Sequence, residues 1–309
     1  GGLETTEALQ FLSDLHGSVA SELAVVLMRR TQDRAFIDQR TRALYEFNQT
    51  HERDYLSSDY LTVLGLEDGE GRIVVGPKRE DYVKKGGQPI APIPSYLQGP
   101  HVTLFGPPDS AKLAINAMNA YHRQLPGEPA IVAELLSEAQ HNPKWGADDE
   151  DSKTPLRADL ISAGVNLKGC FDKTIKEVDK GKSYELQTEN LALPIKRFPG
   201  LALPSFFMFK DDAPVPLHLY DFALHFFHHA TQPEALVFYV PKLENEEEAR
   251  YIRLMMETAE KLIQKKYPSY KLGTIRLMIV LENPRAIFRT HEIMDELHPY
   301  FAGASLGWH

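Results

Sequence analysis

The sequence predicts an α/β protein, a (β/α)8 barrel of the TIM type preceded by an N-terminal helical region. From His101 onward, short apolar segments alternate with longer segments of helical periodicity, which is typical of a parallel sheet with crossover helices. Polar residues follow the ends of several predicted strands, among them Asp148, Arg197 and Glu282. A (β/α)8 barrel places its active site at that end of its strands.

The composition is that of an ordinary globular chain. Its 309 residues include 34 basic and 43 acidic side chains, a net charge of −9, and 43% hydrophobic residues. The sequence has no basic cluster of the kind that would predict nucleic-acid binding. No stretch approaches the roughly 20 apolar residues that span a bilayer. The single cysteine, Cys170, cannot form an intramolecular disulfide. Because no secretion signal is visible either, we expect a cytoplasmic protein without a membrane partner.

Residues 1–98 are predicted to form the N-terminal region, which is helical with a small irregular or β insertion. Apolar residues at steps of three and four from Phe11 to Leu27 predict helix over residues 5 to about 55. Asp68-Gly69, between two short apolar segments, predicts a hairpin turn.

Residues 99–309 are predicted to form the barrel domain, with about six β/α units. Its predicted strands cover 101–105, 145–148, 191–196, 235–240, 274–281 and 302–306. Six strands leave an eight-stranded barrel open at residue 309. We therefore expect the barrel to be incomplete within this chain, and the chain to be one segment of a longer protein.

Two acidic features at predicted strand ends are candidate metal ligands. Glu282 follows a buried strand, where a carboxylate is costly unless a positive or donating group meets it. A divalent metal or a salt bridge would serve equally. The acidic cluster at 148–151 either holds a hard cation through its oxygens or lies at a solvated loop or helix N-terminus.

Arg197 is the candidate for stabilising a developing negative charge. A guanidinium at a barrel mouth can clamp a carboxylate or stabilise an oxyanion. Lys196 precedes it, and neighbouring strand residues point to opposite faces, so only one of the two should face the site. The alternative is a basic pair on the surface.

Other motifs favour structural roles. His225 and His229 share a helical face, but Phe226 stands where a zinc protease has glutamate, and interleaved phenylalanines favour a packed helix. Cys170 lies in an apolar helix, so we expect a buried, inert thiol. The sequence contains no GxGxxG at a strand–helix junction, no GxxxxGK[ST] and no GxSxG.

Several blocks together resemble the malate synthase family, and their order and spacing make the set specific. The resemblance spans nearly the whole chain and is weak over residues 50–95 and 125–143. The blocks that carry it include Phe11–His16, Val102–Pro107, Ala147–Ser152, Ile195–Gly200, Phe238–Glu244, Leu281-Glu282 and Ile293–Leu297.

The resemblance implies a Mg²⁺-dependent barrel enzyme that condenses acetyl-CoA with glyoxylate to give malate and CoA, as in the glyoxylate cycle. Arg197 would stabilise the enolate oxygen of acetyl-CoA. Glu282 would ligate Mg²⁺, and Glu150 would hold a metal-bound water. Ser152 would approach the CoA moiety. Glyoxylate would be cradled by the backbone amides of Gly307, Trp308 and His309.

The sequence departs from the family pattern at its end. The family's second metal carboxylate aligns one position beyond His309, and its general base lies further on. Two alternatives stay open: a related barrel lyase that cleaves malyl-CoA or citramalyl-CoA, and a catalytically silent barrel with a binding or regulatory role. The long helical N-terminal region, with Phe11–His16, favours the synthase.

Overall fold

The computed structural model describes residues 2–50, 63–78, 87–99, 103–123, 125–150 and 156–307. Ten strands lie in this part of the chain. They are β1 (Thr103–Gly106), β2 (Lys144–Asp148), β3 (Lys176–Asp179), β4 (Lys182–Glu185), β5 (Leu193–Arg197), β6 (Pro204–Lys210), β7 (Ala213–Pro216), β8 (Val237–Val240), β9 (Arg276–Leu281) and β10 (Phe301–Leu306).

Six of these strands form one parallel sheet in the order β1-β2-β5-β8-β9-β10. The spatial order follows the chain order, as it does when each strand of a barrel adds beside the previous one. Within the described residues β1 and β10 are edge strands that do not pair with each other. The predicted α/β barrel fold, still open within this chain, is confirmed.

The two remaining strand pairs, β3–β4 and β6–β7, are antiparallel hairpins outside the parallel sheet. They were not predicted from the sequence: β3 and β4 are short and mostly polar, and β6 carries its apolar residues in a run, 206–209, rather than in alternation. Such strands lack the apolar alternation on which a strand prediction depends.

Eight α-helices lie in the described residues. They are α1 (Thr6–Thr50), α2 (Ala111–Met118), α3 (Ala130–Glu138), α4 (Arg157–Phe171), α5 (Leu217–His229), α6 (Glu246–Lys266), α7 (Pro284–Phe288) and α8 (Thr290–Glu296). Helices α2 and α6 are capped by Ser110 and Asn245, whose side chains accept backbone N–H bonds at the helix starts. A break at Arg289 separates α7 from α8.

The sheet separates two apolar layers. Outward-facing strand residues such as Phe238 and Ile279 pack in the main core with α1, α5 and α6. Inward-facing residues, including Ile195, Tyr239 and Met278, form a second cluster inside the barrel. Because both faces are covered, the strands are almost continuously apolar. Their C-terminal ends are the exception, and there the polar residues collect.

Helix α1 packs its apolar side, including Leu15, Val19 and Val26, against α5 and α6. Its segment Thr6–Ala43 contains an 18-residue window with a mean hydropathy of 1.3, long and apolar enough to cross a membrane by length and composition alone. The prediction that no stretch is that apolar is therefore wrong. It counted continuous apolar runs and overlooked the average hydropathy over a helix in which 33% of that window is buried.

Residues 63–78 are attached to the barrel by two buried arginines. Arg285 donates to the Val74 carbonyl and pairs with Asp33 of α1, while Arg289 donates to the carbonyls of Ile73 and Gly76. A turn at Asp68–Gly71 brings two short bridged segments together, as the Asp68-Gly69 pair predicts. The division at residue 98/99 stays a prediction.

Candidate active site

Arg197 lies at the C-terminal end of β5, directly opposite Asp148 at the end of β2. The two side chains form a two-pronged salt bridge, with Nε 2.8 Å from Oδ1 and Nη2 2.7 Å from Oδ2. Both residues are buried. Two parallel charge-assisted hydrogen bonds orient the guanidinium, which a single contact would leave free to rotate.

A second set of contacts joins the ends of β2, β8 and β9. Lys242, in the loop after β8, places its Nζ 2.7 Å from Oε1 of Glu150, and its backbone N–H donates to Oε1 of Glu282 at 2.8 Å. Glu150 also lies near the arginine, with Oε2 3.9 Å from Arg197 Nη1. Lys242 has a φ of +54°, a conformation that costs a non-glycine residue energy.

Gly307, just after β10, lies against Glu282. A Cβ added to Gly307 would be 2.4 Å from Cβ of Glu282, so no side chain fits there. The Gly307 N–H donates to the Leu281 carbonyl at 2.9 Å. In the structure this amide extends the β9–β10 ladder, and its role toward glyoxylate stays a prediction. The close approach explains why glycine occupies the position.

Behind the barrel mouth, on the opposite face of β5, Lys196 is completely buried between two carboxylates. Its Nζ pairs with Asp149 and lies 2.8 Å from Asp221 of α5. Burial raises the pKa of Asp149 to about 7, although the positive charge of Lys196 acts to lower it. Burial also raises the pKa of Asp221. Burial alone would lower the pKa of Lys196, but the two carboxylates outweigh it and raise that pKa.

Consecutive residues of β5 therefore point in opposite directions, as strand geometry predicts. Arg197 faces the barrel mouth and Lys196 faces the layer between sheet and helices. The mouth thus combines a fixed guanidinium with the two carboxylates Glu150 and Glu282. Such an arrangement can stabilise an oxyanion at the arginine and offer oxygen ligands to a hard cation.

Comparison with known proteins shows which family the chain resembles. A family model for the TIM barrel domain of malate synthase matches residues 194–309. The chain is 30% identical over 240 residues to a malate synthase of Oryza sativa subsp. japonica, with 75% of this chain and 38% of that protein covered.

The chain belongs to the malate synthase family.

Two further malate synthases support this assignment. A glyoxysomal one from Gossypium hirsutum is 29% identical over 235 residues, covering 73% of this chain and 37% of that protein. One from Streptomyces clavuligerus is 28% identical over 311 residues, covering 98% of this chain and 47% of that protein. The chain thus spans less than half the length of the malate synthases that it matches.

The structure brings together some of the residues that the malate synthase resemblance selects. Arg197, Glu150 and Glu282 lie around the same strand ends, linked through Asp148 and Lys242. Ser152, Trp308 and His309 lie outside the described residues. The catalytic and ligand roles of all these residues stay predictions.

Sequence reasoning missed two partners at this site. Asp148 was considered as part of the acidic cluster and not as a partner of Arg197, and Lys242 was given no role. A signal for Asp148 is present, because Asp148 and Arg197 both end predicted strands. Glu150 lies beyond β2, where its backbone N–H donates to Oδ1 of Asp148. The bridging role of Lys242 depends on a left-handed backbone conformation, which the sequence around it does not predict.

The histidines of α5 are structural, as predicted. His225 bonds the Ala235 carbonyl, His229 bonds the His225 carbonyl, and His218 bonds the hydroxyl of Tyr251. Burial lowers the pKa of His218 to about 3 and that of His229 to about 4, and lowers that of His225 as well. These side chains are therefore neutral over the physiological range.

Cys170 is likewise inert. It is buried in the apolar cluster beneath α2 and α4. Burial raises the pKa of its thiol to about 12, so the nucleophilic thiolate is scarce at neutral pH.

Proposed function

We propose that this chain forms the barrel portion of an enzyme of the malate synthase type, which condenses acetyl-CoA with glyoxylate to give malate and CoA. The observation that carries the proposal is the Asp148–Arg197 salt bridge set beside Glu150 and Glu282 at one end of the parallel sheet. We further propose a role in the glyoxylate cycle and a cytoplasmic location.

Arg197 is the residue that we assign to charge stabilisation. In this reaction a base removes a proton from the methyl group of acetyl-CoA, and the electron pair moves onto the thioester oxygen. A guanidinium that Asp148 already orients stabilises this enolate without further reorganisation. We propose, from the family resemblance, that the base itself lies beyond residue 309.

The carbon–carbon bond forms when the enolate carbon attacks the aldehyde carbon of glyoxylate. The product is malyl-CoA, and water then cleaves its thioester to malate and CoA. Lys242 holds Glu150 and Glu282 in place during these steps through its ammonium group and its backbone N–H.

The carboxylates at the barrel mouth could supply part of the ligand shell of a magnesium ion. Glu282 is half-buried, and its Oε1 accepts a hydrogen bond from the backbone N–H of Lys242. Mg²⁺ is commonly held by one or two carboxylates, with water and substrate completing its shell. No group of three or more His, Cys, Asp or Glu side chains in the described residues could hold a metal ion by itself. We therefore assign Glu282 as a direct ligand and Glu150 as a ligand through water.

When bound, Mg²⁺ would act as a Lewis acid toward the oxygens of glyoxylate. Ser152 is proposed to approach the CoA moiety, and the amides of Trp308 and His309 to bind glyoxylate.

The test is CoA release from acetyl-CoA and glyoxylate, with and without Mg²⁺, on the natural-length protein that carries this chain. We expect Mg²⁺-dependent release in the wild type and a loss of about a hundredfold in Glu282→Gln, which keeps the shape but removes the charge. Arg197→Lys should lose about a hundredfold or more, because an ammonium lacks the planar fork that binds Asp148.

The matched control is Glu234→Gln, an exposed glutamate before β8, which should leave release unchanged. No release from folded wild-type protein would exclude the synthase. Conversion of malyl-CoA to acetyl-CoA and glyoxylate without hydrolysis would instead indicate the lyase.

A further inference from the structure

Phe105 reaches into the site from the edge strand β1. It lies directly opposite Gly146 of β2 in the parallel ladder. A Cβ added to Gly146 would be 2.5, 2.7 and 2.9 Å from three carbons of the phenyl ring. The ring therefore occupies the space that any other residue at position 146 would fill.

Through this gap the phenyl ring contacts two residues of the strands beyond β2. The centroid of the Phe105 ring is 4.8 Å from Cζ of Arg197 and 4.9 Å from the ring centroid of Tyr239. Arg197 and Tyr239 are themselves paired in register on β5 and β8. Phe105 is 39% exposed, whereas Arg197 is 7% and Tyr239 1% exposed. The phenyl ring thus covers the other two side chains toward the solvent.

Two neighbours constrain the guanidinium of Arg197 in different ways, Asp148 at its N–H edge and the ring of Phe105 beside it. Asp148 binds its N–H edge and fixes the direction of the arginine within its own plane. Those two bonds resist twisting of one plane against the other, but they still allow the guanidinium plane to tilt about the line through its donor nitrogens Nε and Nη2. An aromatic face packed on the guanidinium opposes that tilt, because a cation over the ring is attracted to its negative face.

We propose that Phe105 is a positioning residue for Arg197 and that Gly146 is required to seat it. The proposal rests on the role in charge stabilisation assigned to Arg197 above. It also limits how substrate approaches: the phenyl ring covers one side of the guanidinium, so the thioester oxygen reaches the N–H groups from another side.

The first experiment follows the Arg197 side chain itself and needs no turnover. In protein labelled with ¹⁵N-arginine, the Arg197 Nε–Hε resonance is identified by its loss in Arg197→Lys, and its exchange with water is measured by NMR. We expect exchange about tenfold faster in Phe105→Leu, which keeps apolar volume but lacks a ring. Phe105→Tyr, which restores a ring, should exchange like the wild type.

Two further variants sharpen this test. Gly146→Ala displaces the ring, so it should accelerate exchange as Phe105→Leu does, and the double variant should show no additional effect. Phe209→Leu, at an exposed phenylalanine of the β6–β7 hairpin, is the matched control and should change nothing. Thermal unfolding confirms that each variant is folded, and Phe105→Leu decides the matter if Gly146→Ala does not fold.

Exchange in Phe105→Leu equal to that of the wild type would overturn the proposal. Where CoA release is observed, Phe105→Leu should lower kcat about tenfold and leave KM for acetyl-CoA unchanged, since the ring acts on the arginine. Faster exchange without any CoA release would support the positioning role while excluding the proposed reaction, so the two failures are distinguishable.

Discussion

Lys196 and Arg197 are adjacent cations whose surroundings differ. Arg197 pairs with Asp148 at the barrel mouth. Lys196 is completely buried, and two carboxylates compete for its charge. Burying one cation with two anions leaves a net negative charge in an apolar layer, which is costly. The raised pKa of Asp149 relieves this cost, since a proton on one carboxyl restores neutrality.

This cluster predicts an unusual pH dependence for Asp149→Asn. The carboxyl of Asp149 has a pKa of about 7 in the folded protein and about 4 when unfolded. The folded state holds a proton that the unfolded state releases, so this group lowers stability as pH rises from 4 to 7. We expect the free energy of unfolding of Asp149→Asn, relative to the wild type, to rise by about 2 kcal/mol between pH 5 and pH 7.

Urea unfolding at the two pH values measures this difference. Asp212→Asn, at an exposed turn between β6 and β7, is the control and should follow the wild type at both. A constant difference between Asp149→Asn and the wild type would show that Asp149 ionises normally.

At the scale of elements, arginines at the start of α7 and between α7 and α8 join the N-terminal region to the barrel. Arg285 pairs with Asp33 of α1 and with Glu244, two residues beyond Lys242. It therefore connects α1, residues 63–78 and the loop that supports Glu150 and Glu282. Because Asp33 is completely buried, its charge requires these partners.

Arg285→Met should destabilise the protein by about 3–5 kcal/mol, the usual cost of removing one partner from a buried ion pair. Backbone amides of residues 63–78 should also exchange faster, because the Val74 carbonyl loses its donor. Urea unfolding and hydrogen exchange with mass spectrometry measure both effects. The control Arg253→Met breaks a part-exposed pair with Glu257 and should cost less than about 1 kcal/mol. Equal costs for the two variants would contradict the structural role of Arg285.

At the scale of the whole molecule, buried neutral histidines set the response to acid. His218, His225 and His229 lie in one helix between the sheet and the outer helices, and burial lowers the pKa of each. The unfolded chain binds protons at these residues below about pH 6.5, while the folded chain does not. Stability from this source is therefore complete above pH 6.5 and is lost as pH falls.

His218→Gln should lose less stability than the wild type on acidification, by about 2 kcal/mol between pH 6.5 and pH 4.5. Glutamine stays neutral and can still bond the hydroxyl of Tyr251. Urea unfolding as a function of pH checks this, with the exposed His291→Gln as control. Parallel curves for His218→Gln and the wild type would show that His218 contributes nothing to acid sensitivity.

Sequence reasoning predicted the parallel sheet because short apolar segments alternate with segments of helical periodicity. It placed Arg197 and Glu282 at strand ends for the same reason. It missed the exposed hairpins, whose strands carry no apolar alternation. It also missed the contact of Phe105 with Arg197, which depends on the absence of a side chain at Gly146 on the strand between them.

The opposite environments of Lys196 and Arg197 also disfavour one misfolded state, in which β5 is misaligned with its neighbouring strands. A slip of β5 by one residue against its neighbours would exchange the two faces of the strand. Lysine would then enter the mouth without the planar fork that Asp148 requires, and the bulkier arginine would enter the closed layer beside Asp221. The ion pairs of Lys196 and Arg197 on the two faces of β5 therefore form only when the strand is correctly aligned. A chain that folds in the wrong alignment would lose its activity and its stability together.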